Sequence, residues 1–165
     1  MLAEISFYNF VLFLHIAAVV LAFGVTFTYP VVFAIARKGF ESNLPFFHHI
    51  QAKLGERMVA PLGGVVLLAG IYLALQGPYD FSDPWIGSSL LILLVILGVG
   101  GGFLAPREAR LSELAGRDVA ANAGEGPVAF GHDYERLFGQ VRTVTLALNA
   151  LMLIAIFLMV TKPGA

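Results

Sequence analysis

Residues 10–36 read FVLFLHIAAVVLAFGVTFTYPVVFAIA, a run of 27 residues without one charged side chain. As an α-helix such a run is long enough to cross a hydrocarbon core of about 30 Å. Inside it sits His15, the one histidine in any strongly apolar segment of the chain. Ionisable groups are costly in lipid, so a histidine at this depth marks a functional site by default. At about 100° per residue, Tyr8, Val11, His15, Ala18, Ala22, Thr26 and Tyr29 share one face, whereas Phe13, Val20 and Phe27 lie off it. Small and polar residues let helices approach closely, so the His15 face is expected to look into a bundle. Pro30 predicts a kink, which neighbouring helices tolerate in a membrane.

Three further apolar segments follow. The expected spans are residues 8–36, 57–77, 85–106 and 138–161, joined by connections at 37–56 and 107–137. The fold class is therefore all-α, an integral membrane four-helix bundle forming a single domain. Composition agrees: 58 % of the 165 residues are hydrophobic and 13 % charged, with a mean hydropathy of +0.83, which excludes an ordinary soluble domain. A net charge of −1 without a long single-sign run gives no footing for a nucleic-acid partner. The chain has no cysteine, which excludes disulfides, thiolate metal sites and cysteine nucleophiles. Its opening residues, Met1-Leu2-Ala3-Glu4, carry no basic region, and no A-x-A site follows the first apolar run. That run is also too long for a signal peptide, so it is expected to stay in the mature protein.

The connections carry their own signals. Residues 39–56 are amphipathic, with Ser42 and Asn43 as N-cap candidates and Pro45 suited to a first turn. A short interfacial helix is expected there, with Phe46, Phe47 and Ile50 on its membrane side. His48 and His49 diverge by about 100° on such a helix and read as solvated residues, not as a two-ligand site. Gly63, Gly70 and Gly77 recur every seven residues and suggest a close-packing groove. Asp80 and Asp83 read as turn residues beside Pro84. Gly98 and Gly100–Gly102 lack the G-x-x-x-x-G-K-[ST] pattern of a phosphate loop and read as tight helix packing. The third helix is expected to run past Pro106 to Gly116, residues 117–131 to form a loop, and the fourth helix to start at Asp133. Nine of the ten Lys and Arg residues fall within 37–57 and 107–142, that is in the two long connections and at their edges, and one, Lys162, on the other side. The expectation is a cell inner membrane protein with basic loops in the cytoplasm and both termini outside.

In that topology His15, Tyr72, Ser88, Ser89 and the stretch from Met152 to Met159 occupy one half of the bundle. On the last helix Arg142, Thr145, Asn149, Met152, Ile156 and Met159 form a single stripe, read structurally as a hydrogen-bonding Asn149 with methionines filling gaps. Three readings of His15 stand open: an axial ligand of haem iron, a copper ligand with methionine thioethers, or a polar contact between helices. The chain has no H-E-x-x-H, no G-x-S-x-G and no ionisable chain across the membrane, which argues against hydrolases and pumps.

Several short motifs also carry a resemblance. Leu14-His15 early in the first helix, Tyr29-Pro30 at its far end, RMVAP at 57–61 leading to Gly70, Trp85 opening the third helix and LIAIFLMVTKP at 153–163 together resemble a group of small bacterial membrane proteins. The group comprises the membrane domain of copper-resistance protein D, an uncharacterised four-helix family allied to it, and the membrane haem-dependent protoporphyrinogen oxidase. The uncharacterised branch fits best. The resemblance implies a first-helix histidine, here His15, as a haem or copper ligand. Ser88 and Ser89 stand where the oxidase type has a basic residue, and Val31 where it has an arginine. Both departures count against porphyrinogen oxidation.

The expectation taken to the structure is a b-type haem site with His15 as axial ligand. Met152 or Met159 is the candidate partner, Tyr72 belongs to the same layer, and Lys162 is placed to meet a propionate. The alternatives are a non-enzymatic accessory subunit or scaffold, and a copper-handling protein. Expected partners are the lipid bilayer and, as open possibilities, a second copy or a membrane complex.

Overall fold

A computed structural model describes residues 6–122 and 127–164, so the readings made for the first five residues and for 123–126 lie outside the described residues. Four long helices fill it: α1, Phe7–Ala36; α2, Glu41–Gln76; α3, Pro84–Ala121; and α4, His132–Thr161. No strand occurs among the described residues. Each helix is long and apolar enough to cross a membrane. They run up and down, α1 packing on α2 and α3 on α4 through the spans.

Length separates the helices into two kinds. At 1.5 Å per residue, the 36 residues of α2 and 38 of α3 reach about 54 and 57 Å. Both outrun α1 and α4, whose 30 residues reach about 45 Å, and the excess is at one end, where Leu44–Leu54 of α2 packs on Ala105–Ala121 of α3. The expected helix between the first two spans is present at Leu44–Leu54, and a π-helical turn, Gly55–Val59, joins it without a break to the span. Phe46 and Ile50 are exposed, while Leu44, His48 and Gln51 face α3. Two apolar cores result. One, near the termini, gathers Ala18, Ala22, Phe23, Val66, Leu93, Ile96 and Met152. The other, at the far end, gathers Phe33, Leu44, Leu111, Leu114, Tyr134 and Val141.

Between the cores each of the first three helices departs from regular α-helical hydrogen bonding just before a proline. A 3-10 turn at Val25–Phe27 precedes Pro30, and π turns at Gly55–Val59 and Gly100–Leu104 precede Pro61 and Pro106. Pro30 has no N–H, so the Thr26 carbonyl four residues earlier loses its helical donor. Asn149 of α4 supplies one: its Nδ2 donates to that carbonyl at 3.2 Å, and Thr26 Oγ1 donates back to Asn149 Oδ1 at 2.8 Å. The helix interruption before Pro30 and the structural role expected for Asn149 are thus one feature.

Several local expectations need correction. The glycine spacing does not make one groove: a Cβ at Gly63 would meet Leu97 of α3 and one at Gly70 would meet His15 of α1, while Gly77 lies past the end of α2. Gly98 and Gly100–Gly102 face open space, so tight packing does not explain them. Helix α3 does not stop at Gly116 but runs on to Ala121, because Asp118 is buried there and its Oδ2 accepts the Gly131 amide at 2.9 Å, tying the next connection down. The Asp80 turn is as expected: Oδ1 accepts from the Ser82 amide at 2.9 Å and from its hydroxyl at 2.8 Å. Those two bonds hold the Asp80 carboxyl below its ordinary range.

Candidate functional site

His15 points into the bundle from the small-residue face of α1 and is only 8 % exposed. Its Nδ1 lies 3.0 Å from the backbone carbonyl of Val66 on α2. A carbonyl can only accept, so Nδ1 carries the ring proton and Nε2 keeps its lone pair. The ring can come this close because position 70 has no side chain. A Cβ there would stand 3.1 Å from His15 Cε1 and 3.5 Å from Nδ1. Gly70 therefore serves the placement of one imidazole.

The imidazole lines a cleft of about 560 Å³ formed by all four helices, with Tyr8, Trp85, Ser89, Met159 and Lys162 among its walls. The walls are otherwise almost wholly apolar. Trp85 Nε1 and Ser89 Oγ are buried there without a hydrogen-bond partner. Buried polar groups are nearly always satisfied, and both of these are free to donate to a molecule held in the cleft. Lys162 sits at one end of the cleft in a left-handed conformation that terminates α4. Its ammonium donates to the Tyr79 hydroxyl and lies 4.4 Å from the Tyr79 ring centroid and 5.9 Å from that of Trp85. Among the described residues it has no carboxylate partner. An apolar slot with one imidazole, two unmet donors and one cation suits a flat, largely apolar guest bearing an anionic edge.

Of the residues placed in the His15 layer or expected to hold a guest, the cleft brings together His15, Ser89, Met159 and Lys162. Met152 is buried in the neighbouring core, against Ala18, Phe23 and Val66 among others, and is not part of the cleft wall. Tyr72 also stands apart, its ring edge-on to Phe7 at 5.5 Å. Tyr79 was not foreseen; it sits in the connection before α3, and no periodicity points to a loop residue. Among the described residues no three His, Asp, Glu or Cys side chains converge to hold a bare metal ion.

The far end holds a second histidine, and here the expectation of solvated residues fails. His49 is exposed, but His48 is 0 % exposed. Its Nδ1 is 2.7 Å from Glu108 Oε2 and its Nε2 3.0 Å from the Tyr134 hydroxyl. Phe33 stacks on the ring at 4.4 Å, and Gln51 Nε2 donates to the other Glu108 oxygen at 2.7 Å. The error has a clear cause. Leu44–Leu54 reads as a surface helix until the extension of α3, carrying Glu108, is folded onto it.

A family model described as "Predicted integral membrane protein (DUF2269)" matches residues 9–163. No curated protein and no solved structure matches the chain.

Proposed function

Because the chain belongs to this family of predicted integral membrane proteins, we propose that it is a multi-pass membrane protein whose cleft takes b-type haem, with His15 Nε2 as axial ligand. The observation that carries this reading is the pairing of His15 Nδ1 with a backbone carbonyl across the gap left by Gly70. Ligating histidines almost always donate their other ring N–H in this way, which fixes the tautomer and raises ligand basicity. Met159, which also lines the cleft, would be the candidate second ligand, in preference to Met152. Lys162 supplies a cation for a propionate, and the unmet Trp85 and Ser89 donors supply hydrogen bonds. When bound, the group would supply one-electron redox chemistry. The protein's part is to hold the iron by one imidazole and keep the porphyrin dry among apolar walls.

Haem is favoured over a bare copper ion by donor count. One imidazole and one thioether make at most a two-coordinate site, which of the copper states only Cu(I) accepts, whereas a porphyrin brings four nitrogens of its own. The scaffold reading draws on the same His15–Val66 bond taken as an end in itself. The absorption spectrum and metal content of the detergent-purified protein, before and after adding haemin, separate the three. The expected result is a Soret band at one haem per chain, lost in His15→Gln while the variant stays folded. A wild-type protein that shows no Soret band and gains none with haemin would falsify the haem reading. Copper in place of iron supports the metal alternative, and loss of assembly alone in His15→Gln supports the scaffold.

The same reading puts the cleft at the outer face of an inner membrane, because nine of the ten basic residues lie toward the other end. Labelling of single cysteines placed at Gly164 and at His49 in intact cells should modify the first and spare the second.

A further inference from the structure

A second cavity, of about 520 Å³, opens between α1 and α4 at the far end of the bundle. Its lining divides by burial. Gln51, Glu108 and Thr145 are buried, whereas Lys38 and Arg142 are exposed. Lys38 lies just past the 27-residue apolar run of α1, and Arg142 is the last charge before the apolar part of α4. The two cations therefore mark one boundary of the membrane-spanning region. Neither has a carboxylate partner among the described residues. Arg37, beside them, is committed: it makes two hydrogen bonds to Glu135, at 2.7 and 3.0 Å, and thereby neutralises that carboxylate.

The floor is short of partners. Tyr29 OH, Gln51 Oε1 and Thr145 Oγ1 are buried with no hydrogen bond. Gln51 and Thr145 are more than nine-tenths buried, at 8 % and 7 % exposure. Gln51 spends its amide N–H on Glu108, so its unmet atom is a pure acceptor and calls for a donor from the occupant. Both Glu108 oxygens are already engaged, by His48 and Gln51. The walls between floor and mouth are apolar: Pro30, Phe33, Ala34 and Val141. On the membrane side of the two cations, Val31 and Leu146 are exposed.

From this juxtaposition we infer that the cavity is a binding site for an anionic phospholipid with a hydroxylated headgroup. The phosphate sits between Lys38 and Arg142, where a cation near a bilayer surface attracts anionic lipid. A headgroup hydroxyl donates to Gln51 Oε1, and the Tyr29 and Thr145 hydroxyls complete the floor. The acyl chains run along Val31 and Leu146 into the bilayer. The inference is independent of what the cleft around His15 holds.

Native mass spectrometry of the detergent-purified full chain tests it, with phosphatidylglycerol, phosphatidylmethanol and phosphatidylcholine of matched chains as probes. Phosphatidylglycerol should be retained over phosphatidylcholine, for charge, and over phosphatidylmethanol, for its hydroxyls. Arg142→Gln should weaken phosphatidylglycerol about fivefold, the value of one basic residue near a membrane surface. Thr145→Val, nearly isosteric, should narrow the preference over phosphatidylmethanol, and Lys38→Gln repeats the charge test at a second exposed position. All three variants are compared at matched thermal unfolding midpoints. Equal retention of phosphatidylglycerol and phosphatidylcholine overturns the proposal, as does full displacement by millimolar glycerol 1-phosphate, which would identify a soluble phosphorylated polyol as the occupant.

Discussion

At the end of the bundle that carries the termini, His15 spends one ring nitrogen on a carbonyl and faces a cleft with the other. At the opposite end His48 spends both nitrogens, on Glu108 and Tyr134, under a stacked Phe33. Both rings are buried, so burial does not distinguish them. The count of partners does. A histidine with both nitrogens engaged is part of the architecture, and one with a free nitrogen beside a cleft is available to a guest. The ends differ for a reason that reaches back to helix length. Only at the far end do α2 and α3 overrun the apolar spans, bringing glutamate and glutamine within reach of an imidazole.

The comparison breaks most easily at His48. His48→Leu keeps the bulk but strands the Glu108 carboxylate and the Tyr134 hydroxyl in a buried site. Leaving a buried polar group without its partner costs about 1–3 kcal/mol for each group stranded, so thermal unfolding in detergent should show a large loss while any pigment bound at His15 survives. Pigment lost from a His48→Leu protein that unfolds normally would reverse the two assignments.

Gly70→Ala sharpens the other side. The new Cβ would crowd His15 Cε1 at 3.1 Å and push the ring off the Val66 carbonyl. If the cleft takes haem as proposed, affinity for added haemin should fall by about 10–100-fold, the usual cost of disturbing the group that orients a ligating histidine. Helix propensity works the opposite way, since alanine in place of a mid-helix glycine stabilises by about 0.5–1 kcal/mol. Weaker binding in a protein no less stable, read by haemin titration and thermal unfolding, is the expected pair of results. Unchanged affinity would detach Gly70 from the site.

The smallest effect concerns the pair that closes the far end. Arg37 and Glu135 are 31 % and 43 % exposed, and burial of their charge is slight. Arg37→Gln should cost about 0.2–1 kcal/mol, in keeping with exposed ion pairs. The loss should fade in molar salt, which screens such pairs. A loss rivalling that of His48→Leu would mean that the far end is held by its rim and not by its buried histidine.

Much of the bundle was legible residue by residue. The face named for α1 is the one that turns inward: Val11, His15, Ala18 and Ala22 are buried, while Phe13 and Val20 are exposed. On α4 Thr145, Asn149 and Met152 are buried along the stripe read from spacing. Helical periodicity reports which face turns inward, and that carried His15 correctly. It does not report what meets that face. Met152 and Met159 share a stripe, yet one fills a core and the other lines a cleft. Ser89 was recognisable by depth, but its lack of a partner and that of Trp85 Nε1 were not.

Uncharged runs long enough for a bilayer, a proline in each of the first three helices, a lone apolar histidine and the skew of basic residues are all present in the order of amino acids. They determine four spanning helices and nominate His15, because hydrophobicity and periodicity are local properties. Which nitrogen of which histidine remains free is not local. It depends on a carbonyl 51 residues away for His15, and on side chains 60 and 86 residues away for His48. Those partners meet only when the helices pack, so the tertiary structure alone separated a buried histidine that is spent from one that can still bind.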